Sequence, residues 1–178
     1  MNFDLDYKIR INDKELESRV FTTEIATYKN QMGDVGVLEG AVVMKIDGKT
    51  VCGDHYDPIV RLASQWVGKI PWILAGDTET VALRHSEHCF AFVPAGESVE
   101  ISFFVGSESE VEEYIVEPTT VRLDAFATET LKMAERVVEM VRAAEPSLLN
   151  GHEDVRDLLA SLDEGRKAWR DHQLHNRR

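Results

Sequence analysis

Residues 78–106 read TETVALRHSEHCFAFVPAGESVEISFFVG, the longest strand-like run of the chain. Three parts of it, 80–84, 89–93 and 98–105, are rich in β-branched and aromatic residues, which fit a pleated, half-buried surface. They are joined by Ser86-Glu87 and by Pro94-Ala95-Gly96-Glu97. Both joints are turn-like and suit antiparallel neighbours, so an up-and-down meander is expected. Phe103 and Phe104 occupy successive positions of the last strand and must point to opposite faces. Both faces therefore need cover, which helices elsewhere in the chain are expected to supply.

The N-terminal third adds further strands. Leu5, Tyr7, Ile9 and Ile11 alternate with Asp4, Asp6, Lys8 and Arg10, the period of a strand with one dry face and one wet face. After the turn residues Asn12-Asp13-Lys14, residues 17–28 carry Val20, Phe21, Thr22, Thr23, Ile25, Thr27 and Tyr28 and predict a hairpin partner. Residues 29–37 (KNQMGDVGV) show no period and read as an exposed loop. Leu38, Gly40, Val42, Met44 and Ile46 then alternate up to Asp47-Gly48, a pair that suits a tight turn with positive φ, and residues 50–52 begin the return strand.

Helical spacing appears in three places. Ile59, Leu62, Ala63, Trp66, Val67 and Ile70 form one apolar stripe, so a helix is expected over 58–70, capped by Asp57 and ended by Pro71. Trp66 and Trp72 are both read as core. A helix over 125–145, capped by Asp124, places Phe126, Leu131, Ala134, Val137, Val138 and Val141 on one face. A last helix over 151–171 starts from Asn150 with Glu153 three residues on and carries Val155, Leu158, Leu159, Leu162 and Trp169, leaving 172–178 as a frayed tail. The expectation is one α+β domain over 1–178: a mostly antiparallel sheet of hairpins and meander, β-rich over 1–123 with one internal helix, and two C-terminal amphipathic helices packed on it.

Between the meander and the second helix the charge is lopsided. Residues 107–124 hold Glu108, Glu110, Glu112, Glu113, Glu117 and Asp124 against Arg122 alone. Tyr114, Ile115 and Val116 suggest an edge strand inside this stretch; Pro118 should interrupt it, and 119–123 should form one more strand. The whole chain of 178 residues has a formal net charge of -12, which opposes binding to nucleic acid or to anionic lipid and favours a basic partner. No apolar run approaches the roughly 20 residues of a membrane span, and Met1 is followed by Asp4 and Asp6 where a signal peptide would be basic and then apolar. A cytoplasmic protein is expected. Two cysteines are too few for a disulfide framework.

Side chains able to ligate a metal fall in two clusters: Cys52, Asp54, His55 and Asp57 in CGDHYD, and His85, His88 and Cys89 in HSEHC. These are donor types for zinc or manganese, and two strand ends could bring them together. Their spacing matches no standard ligand motif, and strand alternation does not obviously aim Cys89 where His85 and His88 point. The alternative account is turn histidines, core cysteines, a capping Asp57 and a turn-forming Asp54. A nucleophilic cysteine paired with one of these histidines lacks a supporting local motif, and the common enzyme signatures are absent. The sequence therefore favours a non-enzymatic, cofactor-free intracellular interaction protein, in one concrete form an acidic inhibitor or immunity-type protein that covers a basic partner through Glu108, Glu110, Glu112, Glu113 and Glu117. A small metal-dependent hydrolase built on the two clusters is the competing expectation, and a structural subunit of a homo-oligomer the third.

Overall fold

The computed structural model describes residues 2–175. β1 (Phe3–Ile11) is the strand that the N-terminal alternation predicts, with Phe3, Leu5, Tyr7, Ile9 and Ile11 all buried. It pairs antiparallel with β2 (Lys14–Glu17) on one side and β3 (Glu39–Ile46) on the other. β4 (Lys49–Cys52) returns along β3 through a turn in which Asp47 and Gly48 have φ of 50° and 78°, as that dipeptide predicts. β5 (Asp57–Pro58) pairs with the start of β3, which completes the first sheet in the order β2-β1-β3-β4.

The hairpin strand expected over 17–28 stops at Glu17. The chain there forms two short helices, α1 (Ser18–Thr23) and α2 (Ile25–Tyr28). Phe21, Ile25 and Tyr28 sit at i, i+4 and i+7, so a helix turns them to one side; the Phe21 and Tyr28 rings meet at 5.8 Å. Thr22 Oγ1 donates to the Ser18 carbonyl at 2.8 Å, giving a β-branched residue a use inside a helix. The expected open loop over 29–37 contains two 3₁₀ turns, Lys29–Gln31 and Val35–Val37, and buries Met32 and Val35.

α3 (Ile59–Gly68) carries the predicted apolar stripe, but Asp57 does not cap it: Pro58 holds the N-cap position without a side-chain bond. Nor does Pro71 end the helical region. It occupies the first turn of α4 (Ile70–Ala75), where a missing N–H is tolerated. The two tryptophans differ in burial: Trp66, in α3, is fully buried, whereas Trp72, in α4 and expected in the core, is 57% exposed.

The meander forms the second sheet, in the order β6-β7-β8-β9. Its strands are β6 (Glu79–Ala82), β7 (His88–Ala95), β8 (Ser98–Ser107) and β9 (Glu110–Arg122). On the inner face, Trp66 of α3 lies edge-on to Phe90 and Phe92 at 4.9 and 4.8 Å, and Phe126 packs on Phe92 at 5.3 Å. Phe104 points the other way and is also buried. Its cover is not a helix: it clusters with Cys89 and Ala91 and meets Tyr114 of β9 edge-on at 6.0 Å. Side chains of β7, β8 and β9 thus cover Phe104 on the second face.

β9 runs unbroken through Pro118, against expectation. Ile101 pairs with Thr119 and Phe103 with Val116, so Glu117 and Pro118 together stand opposite Ser102 in a bulge, where a residue without an N–H costs no ladder bond. At the tip, Gly106 has φ of 110°, and a Cβ there would lie 2.3 Å from the Glu110 carbonyl oxygen, so the tight return needs glycine.

α5 (Leu123–Ala144) starts earlier than expected; Asp124 lies inside its first turn and is held by Arg122 Nε and Nη2 at 2.9 and 2.7 Å. Asn150 belongs to a separate turn, α6 (Leu148–Gly151), and α7 (Glu153–His175) begins after it. Residues 172–175 of the expected frayed tail continue this helix, where Trp169 and His172 stack at 5.6 Å; residues 176–178 lie outside the described part. Where α7 crosses α3, Gly165 is buried and a Cβ would come within 3.2 Å of Val67 Cγ2. One continuous apolar cluster includes side chains from both sheets and from α3, α5 and α7, the α+β arrangement that the sequence predicts.

Candidate functional site

The loop between β4 and β5 brings His55 to the inner edge of the second sheet. Its ring centroid lies 4.5 Å from that of His88, the first residue of β7. Both imidazoles rest on Phe103 of β8, His55 edge-on at 4.8 Å and His88 stacked at 5.5 Å. Among the described residues, His55 Nδ1 and His88 Nδ1 are shielded from solvent and have no hydrogen-bond partner. Burial first, and the neighbouring His88 second, hold the His55 pKa below the ordinary histidine value; Asp54 acts weakly in the opposite sense.

Two residues beyond His55, Asp57 is fully buried. Its Oδ1 accepts the main-chain N–H groups of Arg84 and His85 at 2.8 and 3.0 Å, which fixes the turn that leads into β7. The His85 Nδ1 atom is 4.0 Å from the same oxygen, with the imidazole half in solvent. Asp54, by contrast, points into water and pairs with Lys8 Nζ at 2.8 Å.

The two cysteines stand apart from this seam in chemistry and in place. Cys52 is a core side chain whose thiol is pushed up to about 12 by burial first and by Asp54 second. Cys89 lies in the small cluster on the opposite face of the second sheet, its thiol raised by burial and then by Glu108. Neither forms a thiolate near neutral pH, so neither is an activated nucleophile. Of the seven predicted ligand residues, the structure brings His55 to His88 and Asp57 to His85, and among the described residues no group of three His, Cys, Asp or Glu side chains has an arrangement that could hold a metal ion.

The acidic residues gather at the free edge of the second sheet. Glu108 lies in the β8–β9 turn, and Glu110, Glu112, Glu113 and Glu117 lie on β9, all exposed. Register shifts within β8–β9 leave Glu112 and Ile115 as extra residues on β9, between Glu113 and Val111 and between Val116 and Tyr114 respectively. These bulges break the two-residue alternation, and exposed Val111, Tyr114 and Ile115 are interspersed with the carboxylates. Among the described residues, none of the five glutamates has an ion-pair partner.

A groove of about 540 Å³ beside β1 is lined by Asp6, Lys8, Lys45, Asp54 and Arg136 among others. Several of its charges are already matched, Lys8 with Asp54 and Arg136 with Asp6. Comparison with protein-family models, with curated proteins and with solved structures finds no match to this chain.

The sequence signals the acidic edge through composition alone. The His55–His88 contact joins two separate turns, and no short-range pattern announces it. Phe103 is the residue missed at this site; its place in the meander is legible, but its role as the platform for both imidazoles depends on how the first sheet meets the second.

Proposed function

We propose that the protein works by binding, as an acidic inhibitor or immunity-type protein that docks a basic partner on the β8–β9 hairpin. The observation that carries this reading is the set of five exposed glutamates at a sheet edge with no ion pair among the described residues, while carboxylates elsewhere, such as Glu39, Glu79 and Asp124, are matched by Arg10, Lys69 and Arg122. Unmatched charge of one sign raises the encounter rate with an opposite surface and selects against acidic competitors. Val111, Tyr114 and Ile115, each more than a third exposed, supply apolar contact within the same patch. The like charge of this edge also disfavours pairing between two copies of β9, since it would set glutamates against glutamates.

The experiment is crosslinking from a photoreactive side chain at position 112, identification of the captured protein, and titration of the purified pair. A basic partner should bind the Glu110→Lys, Glu112→Lys, Glu113→Lys triple variant at least about tenfold more weakly, and wild-type affinity should fall as salt rises from about 50 to about 300 mM. An isolated partner whose affinity is unchanged by both the triple reversal and the salt would remove this reading.

A further inference from the structure

The seam between the two sheets contains an arrangement that docking on the hairpin does not use. His55 belongs to the segment that leaves the first sheet, His88 to the first strand pair of the second, and their rings meet at 4.5 Å. We propose that this pair is a pH-sensitive latch: it joins the two sheets while both imidazoles are neutral and releases them when both are protonated.

Three features of the geometry support the latch. First, two positive rings at this spacing repel, and partial burial leaves less water to screen them. Second, the Nδ1 atoms of both rings are shielded and, among the described residues, unpartnered, so a proton placed there finds no acceptor in the closed arrangement. Third, both rings are only partly buried, so protons reach the seam from solvent. The depressed basicity of His55 agrees with this geometry.

The surrounding charges do not cancel the repulsion. On the segment of His55, Asp54 is 85% exposed and already committed to Lys8 of β1; Tyr56 lies under the Arg10 guanidinium. Asp57 gives its Oδ1 to the main chain of Arg84 and His85 and keeps a buried Oδ2 without a partner among the described residues, but the groups that act on the His55 imidazole are His88 and Asp54. The turn before β7 adds Arg84, His85 and Glu87, all exposed. From β8 the facing group is the uncharged ring of Phe103. Phe103 is stacked on Phe90 at 4.1 Å and pairs with Val116 of β9, so its displacement would reach both the meander core and the edge strand.

Two measurements test the latch. Amide hydrogen exchange of residues 53–57 and 84–88, corrected for the intrinsic pH dependence of exchange, should accelerate at least about tenfold between about pH 7.5 and about pH 5.5, while the β1–β3 amides stay protected. In the His88→Phe variant, which keeps an aromatic ring on Phe103, that acceleration should fall to less than about twofold. Wild-type NMR titration of the two imidazoles, which requires no variant to fold, should show two separated steps, because the first proton hinders the second. Equal protection at both pH values, an undiminished acceleration in a folded His88→Phe protein, or two imidazoles that titrate independently would each overturn the proposal.

Discussion

Asp57 Oδ1 accepts the main-chain N–H of Arg84 at 2.8 Å, a bond from a strand of the first sheet to the turn that precedes β7 of the second. The same oxygen takes the His85 N–H at 3.0 Å, and the carboxylate has no exposed surface. Removal of this acceptor would strand two backbone donors. Asp57→Ala should lower stability by about 2–4 kcal/mol, and Asp57→Asn, which keeps an acceptor oxygen, by less. Urea unfolding monitored by tryptophan fluorescence gives the comparison. A wild-type midpoint for Asp57→Ala would show that the bond does not tie the sheets together.

The two tryptophans near the α3–α4 junction should behave in opposite ways. Trp66 contacts Phe90, Phe92 and Phe126 with no exposed surface, so Trp66→Ala should cost about 3–5 kcal/mol. Trp72 lies mostly in water, and Trp72→Ala should change stability by less than about 1 kcal/mol. Thermal unfolding of the two variants side by side decides the matter; equal losses would contradict the assigned burial.

Gly106 should tolerate no side chain. Its φ of 110° and the 2.3 Å approach of the Glu110 oxygen to a built Cβ together predict that Gly106→Ala destabilises by more than about 1 kcal/mol and alters the β8–β9 tip. Amide chemical shifts for residues 104–113 should move while those of β1 and β3 stay in place. An unperturbed hairpin spectrum would refute this.

Acid sensitivity should come in two stages. Asp34, Asp54, Asp124 and Glu15 all have pKa values below the ordinary carboxylate range: the Gly36 N–H acts first on Asp34, Lys8 on Asp54, Arg122 on Asp124 and the Tyr56 hydroxyl on Glu15. A carboxylate depressed in the folded state contributes stability above its unfolded pKa and loses it as pH falls through the folded value. Their share should therefore vanish only below about pH 4. His55 is a depressed base, so the unfolded chain binds its proton more readily; its share is present above about pH 6.5 and lost on acidification toward its folded pKa. Denaturation midpoints at pH 7.5, 5.5 and 3.5 should fall at each step, and His55→Phe should flatten only the first. A first step of the same size in a folded His55→Phe protein would assign that stage elsewhere.

The elements that were legible in the sequence have local causes. The alternation from Leu5 to Ile11, the Asp47-Gly48 turn, the stripe from Ile59 to Val67 and the close-set strands of the meander each follow from residues a few positions apart, and each appears in the structure. Where a longer-range contact competes, local preference loses. Residues 18–28 have strand-like composition, yet Phe21 and Tyr28 reach the core as helical residues. Pro118 breaks a strand by local rule but fits a bulge that exists only because β8 lies beside it. Asp57 has the sequence context of a helix cap, yet its partners are Arg84 and His85, which local pattern cannot find.

The same division applies to the candidate sites. Sequence alone determined the acidity of the 108–117 stretch, because charge is a property of composition and survives any fold. Tertiary structure decided that these glutamates occupy a free sheet edge and that, among the described residues, no cation pairs with them. It also decided which of the two histidine–cysteine clusters' members meet. His55 joins His88 on Phe103, while the cysteines take no part in that contact, because the pleat sends Cys89 to the face opposite Phe90 and Phe103 and Cys52 is buried as a member of the main apolar cluster.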